Sequence, residues 1–307
     1  VWRSNDRTTG VRAHQNFMLA PALVADAGTD IVNYGGVGRN ALTRVDYGSH
    51  GATSAAGFGR LHWTPLGRLR LNTGVRYEHN SIFGGMTVPE FGASVGLRAG
   101  YSLHLSAARG FRNPTIRELY LFPAPNPNLL PERIWNYQAS LQMQPSANVA
   151  ASMTAYYAEL DNMVVVTGRF PNLQLLNAGA ALNRGVDGLA RWRVGRRVSL
   201  YGGYAYLQST NLAPFIPRQK ATYALELDFS RMYVHVSGVT AGRRWADVQK
   251  VRELEGYSAP GLKLMIPVGR QWTLFGMVDN FTNERYEVVT GYPMPGVNAA
   301  GGFTLRF

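Results

Sequence analysis

Several features that mark common protein classes are missing from this chain. It has no cysteine in 307 residues, which excludes disulfide bridges, cysteine-ligated zinc sites and thiol nucleophiles. Charged residues make up only 16%, against about a quarter in an average soluble domain. No apolar run reaches the roughly 18 residues that a spanning helix requires. An ordinary β-protein and a membrane β-barrel remain, because a barrel spreads its lipid-facing residues along many strands.

Motifs for catalysis and metal binding are also absent. The six histidines show no spacing such as HExxH, and no serine lies in a GxSxG turn. The GGVG run at 35–38 and the AAGG run at 299–302 follow no strand–helix pattern, so we interpret them as strand or loop glycines and not as a phosphate-binding loop. We therefore expect a protein that is not an enzyme and that holds no cofactor or metal.

The formal net charge is +12, which raises the question of an acidic partner. A nucleic-acid-binding domain would concentrate its basic residues in one patch or helix. Here they are scattered singly, as at Arg70, Arg191 and Arg218, so we expect no nucleic-acid partner. In a membrane barrel such charges would face lipopolysaccharide phosphates or anionic solutes.

The dominant pattern is alternation with a period of two over long segments. In 68–79, 133–144 and 218–229 apolar and polar residues alternate throughout, so each segment has one apolar and one polar face. Such segments run about 10–12 residues, enough to cross a bilayer when tilted. Short turns alternate with the longer loops predicted at 34–51, 110–132, 161–180 and 244–255, as in outer-membrane barrels.

This pattern predicts an all-β, antiparallel transmembrane barrel segment of about fifteen strands. The predicted strand cores are 11–19, 22–34, 52–64, 68–79, 89–97, 99–109, 133–143, 149–160, 181–193, 197–208, 218–229, 231–243, 256–266, 271–286 and 298–307.

Two further signs favour a membrane barrel. Aromatic residues gather near the short turns, for example Trp63, Trp192 and Trp272, as expected for rings at the headgroup level. The last strand alternates apolar residues back from the chain end, at Phe303, Leu305 and Phe307. We interpret these three residues as the signal that the barrel assembly machinery recognises.

Four stretches carry a family resemblance: AARGFRNPTIRELY followed by NPNLLPERIWNY at 107–137, NAGAALNRGVDGLARW at 177–192, IPRQKATYAL at 216–225, and WTLFGMVDNFTNERYE at 272–287. Together they resemble TonB-dependent outer-membrane receptors. The region 10–100 also looks like this family. Asp187 and Gln219 stand where many members have Glu and His, and neither departure affects the assignment.

The resemblance implies a barrel of about 22 strands with a plugged lumen, of which residues 1–307 would form one N-terminally incomplete barrel domain. No plug, energy-coupling box or signal peptide is recognisable. By resemblance we expect an outer-membrane carrier that takes up an iron–siderophore, haem, cobalamin or similar metal chelate. Its partners would be the TonB complex, through the missing N-terminal region, the assembly machinery and lipopolysaccharide. A passive porin, an outer-membrane hydrolase and a soluble β-sandwich are the alternatives.

Site residues follow from the strand faces and the outer loops. Charged residues avoid lipid, because Arg or Lys at the bilayer midplane costs about 2–4 kcal/mol. The predicted lumen or plug-facing residues are Arg70, Arg76, Glu78, Asn136, Gln138, Asp187, Arg191, Arg218, Lys220 and Glu226. Loop residues that could contact a bulky solute, by stacking or by charge, are Phe83, Phe111, Arg112, Tyr120, Phe122, Arg169 and Trp245.

Overall fold

The computed structural model describes residues 2–121, 124–168, 172–211, 214–247 and 250–306. Fifteen strands form one sheet in which each strand is hydrogen-bonded to the next long strand of the chain. Strand pairs of this sheet run antiparallel, as in β1–β2 and β17–β18 below. Among the described residues, three small sheets of two strands each lie in the loops. The prediction of an all-β fold with about fifteen antiparallel strands is therefore confirmed.

The strands are β1 (Trp2–Ala20), β2 (Leu23–Asn40), β3 (Val45–Leu66), β4 (Leu69–Asn80), β5 (Gly84–Arg98), β6 (Tyr101–Arg112), β7 (Glu132–Ser146), β8 (Val149–Asp161), β9 (Val164–Thr167), β10 (Gln174–Asn177), β11 (Ala181–Val194), β12 (Val198–Ser209), β13 (Gln219–Phe229), β14 (Met232–Ala241), β15 (Arg244–Trp245), β16 (Glu253–Leu254), β17 (Tyr257–Val268), β18 (Trp272–Asp279), β19 (Glu287–Val289), β20 (Tyr292–Pro293) and β21 (Asn298–Leu305). The helix α1 spans Ile116–Tyr120. No helix in these described ranges combines the length and the apolar character needed to cross a membrane.

The chain divides into two compact units. Unit 1 comprises Val1–Gly96, His104–Gln138 and Tyr157–Leu182, and unit 2 comprises Leu97–Leu103, Ala139–Tyr156 and Asn183–Phe307.

In unit 1 the register gives the sheet one apolar and one charged face. Leu23 pairs with Trp63, which pairs with Leu71, and directly paired residues lie on the same face. Large side chains of this face stay exposed, including Trp63 at 48%. Arg70 lies on the opposite face because strand neighbours alternate. Exposed apolar side chains on one face are what a lipid-contacting sheet presents.

Unit 2 has the same arrangement. Trp192 pairs with Leu200, and Leu200 pairs with Leu225, which places all three on one face. Arg191 and Glu226 lie on the other face, since each is the sequence neighbour of a residue in that apolar row.

Several strands extend beyond their predicted cores, for example β1, predicted at 11–19 and observed at Trp2–Ala20, and β5, predicted at 89–97 and observed at Gly84–Arg98. The loop predicted at 34–51 is wrong, because β2 and β3 continue as a ladder to the pair Asn40–Val45. The strand predicted at 271–286 ends at Asp279. There Asn280 adopts a positive φ of 50°, and its side-chain oxygen accepts a hydrogen bond from the Glu284 backbone amide at 2.9 Å. This side-chain turn replaces the strand ladder.

Candidate functional site

A cavity of about 780 Å³ lies in unit 1 beside the β2–β3 turn. Its walls come from the first part of β1, from Tyr34 to Gly38 in β2, from His50 in β3 and from the segment 113–121 that contains α1. Asp6, Arg7 and Arg117 bring charged groups to the lining. A cavity of this size with aromatic and charged groups can hold a small organic solute or a metal chelate.

The glycines of the GGVG run allow the strands around this cavity to approach each other. A Cβ atom on Gly36 would lie 2.5 Å from the Asn5 carbonyl oxygen, closer than van der Waals contact permits. A Cβ on Gly35 would clash with the backbone of His50. The run is thus explained by packing of β1, β2 and β3, in agreement with its interpretation as strand glycines.

The segment 113–121 is held rigidly by its own sequence. Thr115 is the N-cap of α1, and its hydroxyl accepts from the Glu118 amide while the Glu118 carboxylate accepts from the Thr115 amide. This reciprocal arrangement satisfies two backbone donors at the start of the helix. Leu119 is fully buried, and Pro114 is buried as well. A capped turn with a buried leucine forms one wall of the cavity.

Arg112, at the end of β6, joins this segment to two neighbouring elements. Its guanidinium donates to Glu118 at 2.9 Å and to Glu132 at 2.5 Å. The other oxygen of Glu132 accepts from the Val164 amide at 2.7 Å. Burial raises the pKa of Glu118, but hydrogen bonds from Arg112 and Thr115 outweigh burial, so the pKa lies below its ordinary value. Arg112 therefore joins α1 to β7, and Glu132 joins β7 to β9.

Asparagines connect the segment 124–131 to the β9–β10 hairpin. Asn126 donates from its side chain to the Leu175 carbonyl at 2.7 Å. The Asn177 side chain donates to the carbonyls of Leu130 and Asn162 and accepts from the Leu130 amide at 2.8 Å. The two loops after β6 and β8 are consequently fixed to each other at their bases.

His50 lines the cavity, and its ring packs on the ring of Tyr120 in α1. Their rings are stacked with centroids 4.0 Å apart and planes 4° from parallel. The His50 Nε2 atom lies 2.6 Å from the Tyr47 carbonyl oxygen, which positions the ring. One ring face of Tyr120 is thus covered by His50, so a solute could stack only on the other face.

The charged face of unit 1 continues from the cavity along β2 to β5. Arg76 donates to both oxygens of Asp30, at 2.7 and 3.0 Å, and to Glu78 at 2.8 Å. Asp30 is only 5% exposed, and a buried carboxylate requires such pairing. On the same face, Asn80 donates to Ser54 and to the hydroxyl of Tyr34, at 2.8 and 3.1 Å, which positions a residue of the cavity lining.

The corresponding face of unit 2 carries a smaller polar cluster. Glu226 accepts from the Tyr201 hydroxyl at 3.1 Å and lies 3.6 Å from the His235 Nδ1 atom. The Arg191 guanidinium lies 5.7 Å from the centre of the Tyr201 ring. Cation–π contacts and charge-assisted hydrogen bonds hold this cluster together.

The structure brings some of the predicted site residues together and leaves others apart. Arg70, Arg76 and Glu78 share the charged face of β4, as alternation requires. Of the predicted loop residues, Arg112 bonds to the segment 113–121 through Glu118, and Tyr120 lies in that segment. The remaining predicted residues have these positions: Phe83 in the β4–β5 turn, Phe111 in β6, Asn136 and Gln138 in β7, Asp187 in β11, Arg218 before β13, Lys220 in β13, Trp245 in β15, and Phe303 and Leu305 in β21. Phe122, Arg169 and Phe307 lie outside the described residues.

Sequence reasoning did not single out His50, Tyr34 or Arg117, which line the cavity. Their only signal was membership of the NYGG, VDYGSHG and IRELY stretches. In the part of the chain that the structure describes, no group of three or more His, Asp or Glu side chains could hold a metal ion.

Comparison with known proteins adds independent observations. The family model described as "TonB dependent receptor-like, beta-barrel" matches residues 4–281. The vitamin B12 transporter BtuB of Photobacterium profundum is 22% identical over 224 residues, which cover 69% of this chain and 36% of the transporter.

Two solved structures show the same fold. The siderophore receptor PirA from Acinetobacter baumannii has a TM-score of 0.81 at 15% identity, over 100% of this chain and 55% of that protein. A variant of the ferric enterobactin receptor PfeA from Pseudomonas aeruginosa, solved with enterobactin, has a TM-score of 0.81 at 15% identity, over 99% and 54%. The chain thus spans about a third of the curated relative and just over half of each solved protein. Identities this low show a shared fold and leave the ligand open.

Proposed function

Since this chain belongs to the family of TonB-dependent receptor-like β-barrels, we propose that it is the barrel portion of an outer-membrane receptor that imports a scarce metal chelate. The chain spans only part of its relatives, so a plug and an energy-coupling segment belong to the proposal. In this proposal TonB drives uptake, the assembly machinery inserts the barrel, and lipopolysaccharide surrounds its outer rim.

The observation that carries the proposal is the contrast between the two faces of the sheet in unit 1. The apolar face exposes Trp63, Val75 and Phe91, while the opposite face carries the ion pairs of Arg76 and Arg60. Exposed apolar side chains favour contact with lipid. Paired charges on the other face favour contact with a polar plug and water, as in a plugged barrel.

The cavity beside α1 supports a solute site at the loop end of the barrel. Arg7 and Arg117 outnumber Asp6 in its lining, which favours an anionic chelate. Tyr34, His50 and Tyr120 provide aromatic rings nearby, and such rings stack on planar ligand groups. The vitamin B12 and enterobactin named for the relatives are both large metal-binding molecules, and the proposed substrate class follows them.

The test is growth rescue in a strain that lacks the gene for the complete protein. Iron is supplied as different siderophores or haem, and cobalamin is supplied in a separate cobalamin-dependent assay. We expect rescue by one chelate class, and we expect that rescue to disappear when TonB is deleted. Uptake that persists without TonB would instead identify a passive channel.

The cavity itself is tested with His50→Ala and Arg117→Gln in the complete protein. We expect each change to weaken chelate binding by about ten-fold, the effect of about 1.4 kcal/mol. His79→Ala is the matched control. His79 is exposed on the apolar face of β4, opposite the face that carries Arg76 and Glu78. Equal binding by His50→Ala and His79→Ala would place the solute elsewhere.

A further inference from the structure

The short turns of unit 2 form an edge that is rich in arginine. The turns after β5, β11, β13 and β17 contain arginine or lie next to one. Of the five short turns in the described part of unit 2, only the turn at 147–148 has no arginine beside it. The turns themselves contain no acidic residue, and the nearby Asp228, which lines a pocket with Arg196 and Arg197, forms no ion pair with either of them. The arginines of this edge, called here the short-turn arginines, are Arg98, Arg196, Arg197, Arg231, Arg270 and Arg306, and all are exposed.

Ion pairing distinguishes these arginines from those at the loop end of the same unit. Arg243 lies 3.0 Å from Glu255, and Arg252 lies 3.7 Å from Glu287. Within the described ranges, none of the short-turn arginines forms an ion pair with a carboxylate. Their charge is therefore available to a partner outside the chain.

The short-turn arginines lie where the apolar face of unit 2 ends in aromatic rings. The Arg197 guanidinium is 6.0 Å from the centre of the Phe229 ring. Trp272 and Phe303 pack on each other with ring centroids 5.2 Å apart, two residues from Arg270 and three from Arg306. Trp192, on the same face, is 52% exposed. Rings at the end of an apolar band lie at the lipid headgroup level.

We propose that the short-turn arginines bind anionic glycerophospholipid headgroups of the periplasmic leaflet. This inference rests on the proposed membrane location, because short turns of outer-membrane barrels face the periplasm. Lipopolysaccharide occupies the opposite leaflet and is not the ligand of this edge. A guanidinium donates two parallel hydrogen bonds to a phosphate, and neighbouring arginines can each hold one headgroup while the adjacent ring contacts the acyl chain.

The test is lipid binding by the complete receptor in mild detergent, measured by native mass spectrometry. Phosphatidylglycerol and phosphatidylethanolamine are the two probes. Each basic residue near an anionic surface contributes about five-fold in affinity. We therefore expect a phosphatidylglycerol preference of at least roughly ten-fold in the native protein.

The decisive variant replaces Arg196, Arg197, Arg231 and Arg270 by Gln, and the same four positions are replaced by Lys in a second variant. We expect the Gln variant to lose the preference and the Lys variant to keep most of it. Heat-modifiable migration on a gel verifies that both are folded.

A matched control removes four exposed arginines away from the short-turn edge, at the β2–β3 turn and in the β18–β19 connection: Arg3, Arg39, Arg44 and Arg285. We expect this control to keep the native preference, since its total charge change is the same and only the position differs. An equal loss in the control would overturn the proposal, because net charge alone would explain it. A native preference retained by the Gln variant would also overturn it.

Uptake assays separate this inference from the proposed function. If the Gln variant binds lipid normally but loses TonB-dependent uptake, the arginines serve a periplasmic protein, and the lipid proposal is wrong. If the native receptor prefers phosphatidylglycerol but no chelate rescues growth, the proposed function fails while the lipid inference stands.

Discussion

Replacing Arg112 by Gln should release the segment 113–131 from the barrel rim. Hydrogen bonds to charged groups contribute about 1.5–3 kcal/mol when shielded, whereas exposed ion pairs contribute about 0.2–1 kcal/mol. The Arg112 side chain is 43% exposed, and those of Glu118 and Glu132 are 23% and 25% exposed. An intermediate value of about 1 kcal/mol for each carboxylate gives about 2 kcal/mol in total.

A loss of about 2 kcal/mol raises the population of the open segment about 30-fold. Hydrogen exchange measures this opening, because three backbone amides in the segment and in β9 donate hydrogen bonds that the opening would break. The Leu119 amide donates to Thr115, the Asn126 amide donates to Glu118, and the Val164 amide donates to Glu132. We expect all three to exchange about 30-fold faster in Arg112→Gln than in the native protein.

The control is Arg133→Gln, which removes the same charge one residue into β7. Arg133 is exposed and has no ion pair among the described residues, so exchange at the three amides should stay within about two-fold of native. The reasoning is refuted if Arg112→Gln and Arg133→Gln give the same rates, because the segment would then be held by packing alone.

Three further outcomes test the loops and the charged face. The pKa of Glu118 is lowered from 4.5. The stabilisation by its carboxylate is therefore present above pH 4.5 and is lost as the pH falls through the lower pKa of the folded state. Hydrogen exchange of the α1 amides, corrected for its intrinsic pH dependence, should accelerate only below pH 4.5. Leu119→Ala should loosen the fully buried α1 contact by about 2–5 kcal/mol and expose the segment to limited proteolysis, whereas Leu130→Ala, at a side chain 55% exposed, should have little effect. Arg76→Gln removes both hydrogen bonds to Asp30, which is 5% exposed, and leaves it only the longer contact with Arg12 at 4.0 Å. It should lower stability by about 2 kcal/mol, seen as a lower temperature of heat-modified migration; no loss relative to Arg70→Gln would contradict the importance of this pair.

The strands could be predicted from period-two alternation because a strand that crosses a lipid bilayer needs one apolar face. In β4, for example, Leu71 on the apolar face follows Arg70 on the charged face. The alternation ends where β2 and β3 extend beyond the predicted cores: Arg39 pairs with Asp46 there, and Val37 and Val45 are isolated among glycines and polar residues. Without an apolar face these residues have no periodic signal, although their backbone hydrogen bonds are the same.

The candidate site could be predicted only in part. Arg112 and Tyr120 were singled out from one loop, but the partners that fix them, Glu132 and His50, come from other strands. Sequence spacing does not reveal that the β2–β3 register brings Tyr34 and His50 to the cavity beside α1. Contact of Arg112 or Tyr120 with a solute stays a prediction, and their contacts with Glu118, Glu132 and His50 show a structural role.

The hydrogen bonds of Asn177 determine which part of the β9–β10 hairpin can change in sequence. Asn177 ties the base of the β9–β10 hairpin to Leu130 and Asn162, and these bonds use no side chain from the connection between the two hairpin strands. Substitutions and insertions in that connection leave the anchoring hydrogen bonds intact. The sequence of this connection can therefore vary over evolution while the side chains that anchor the hairpin stay the same.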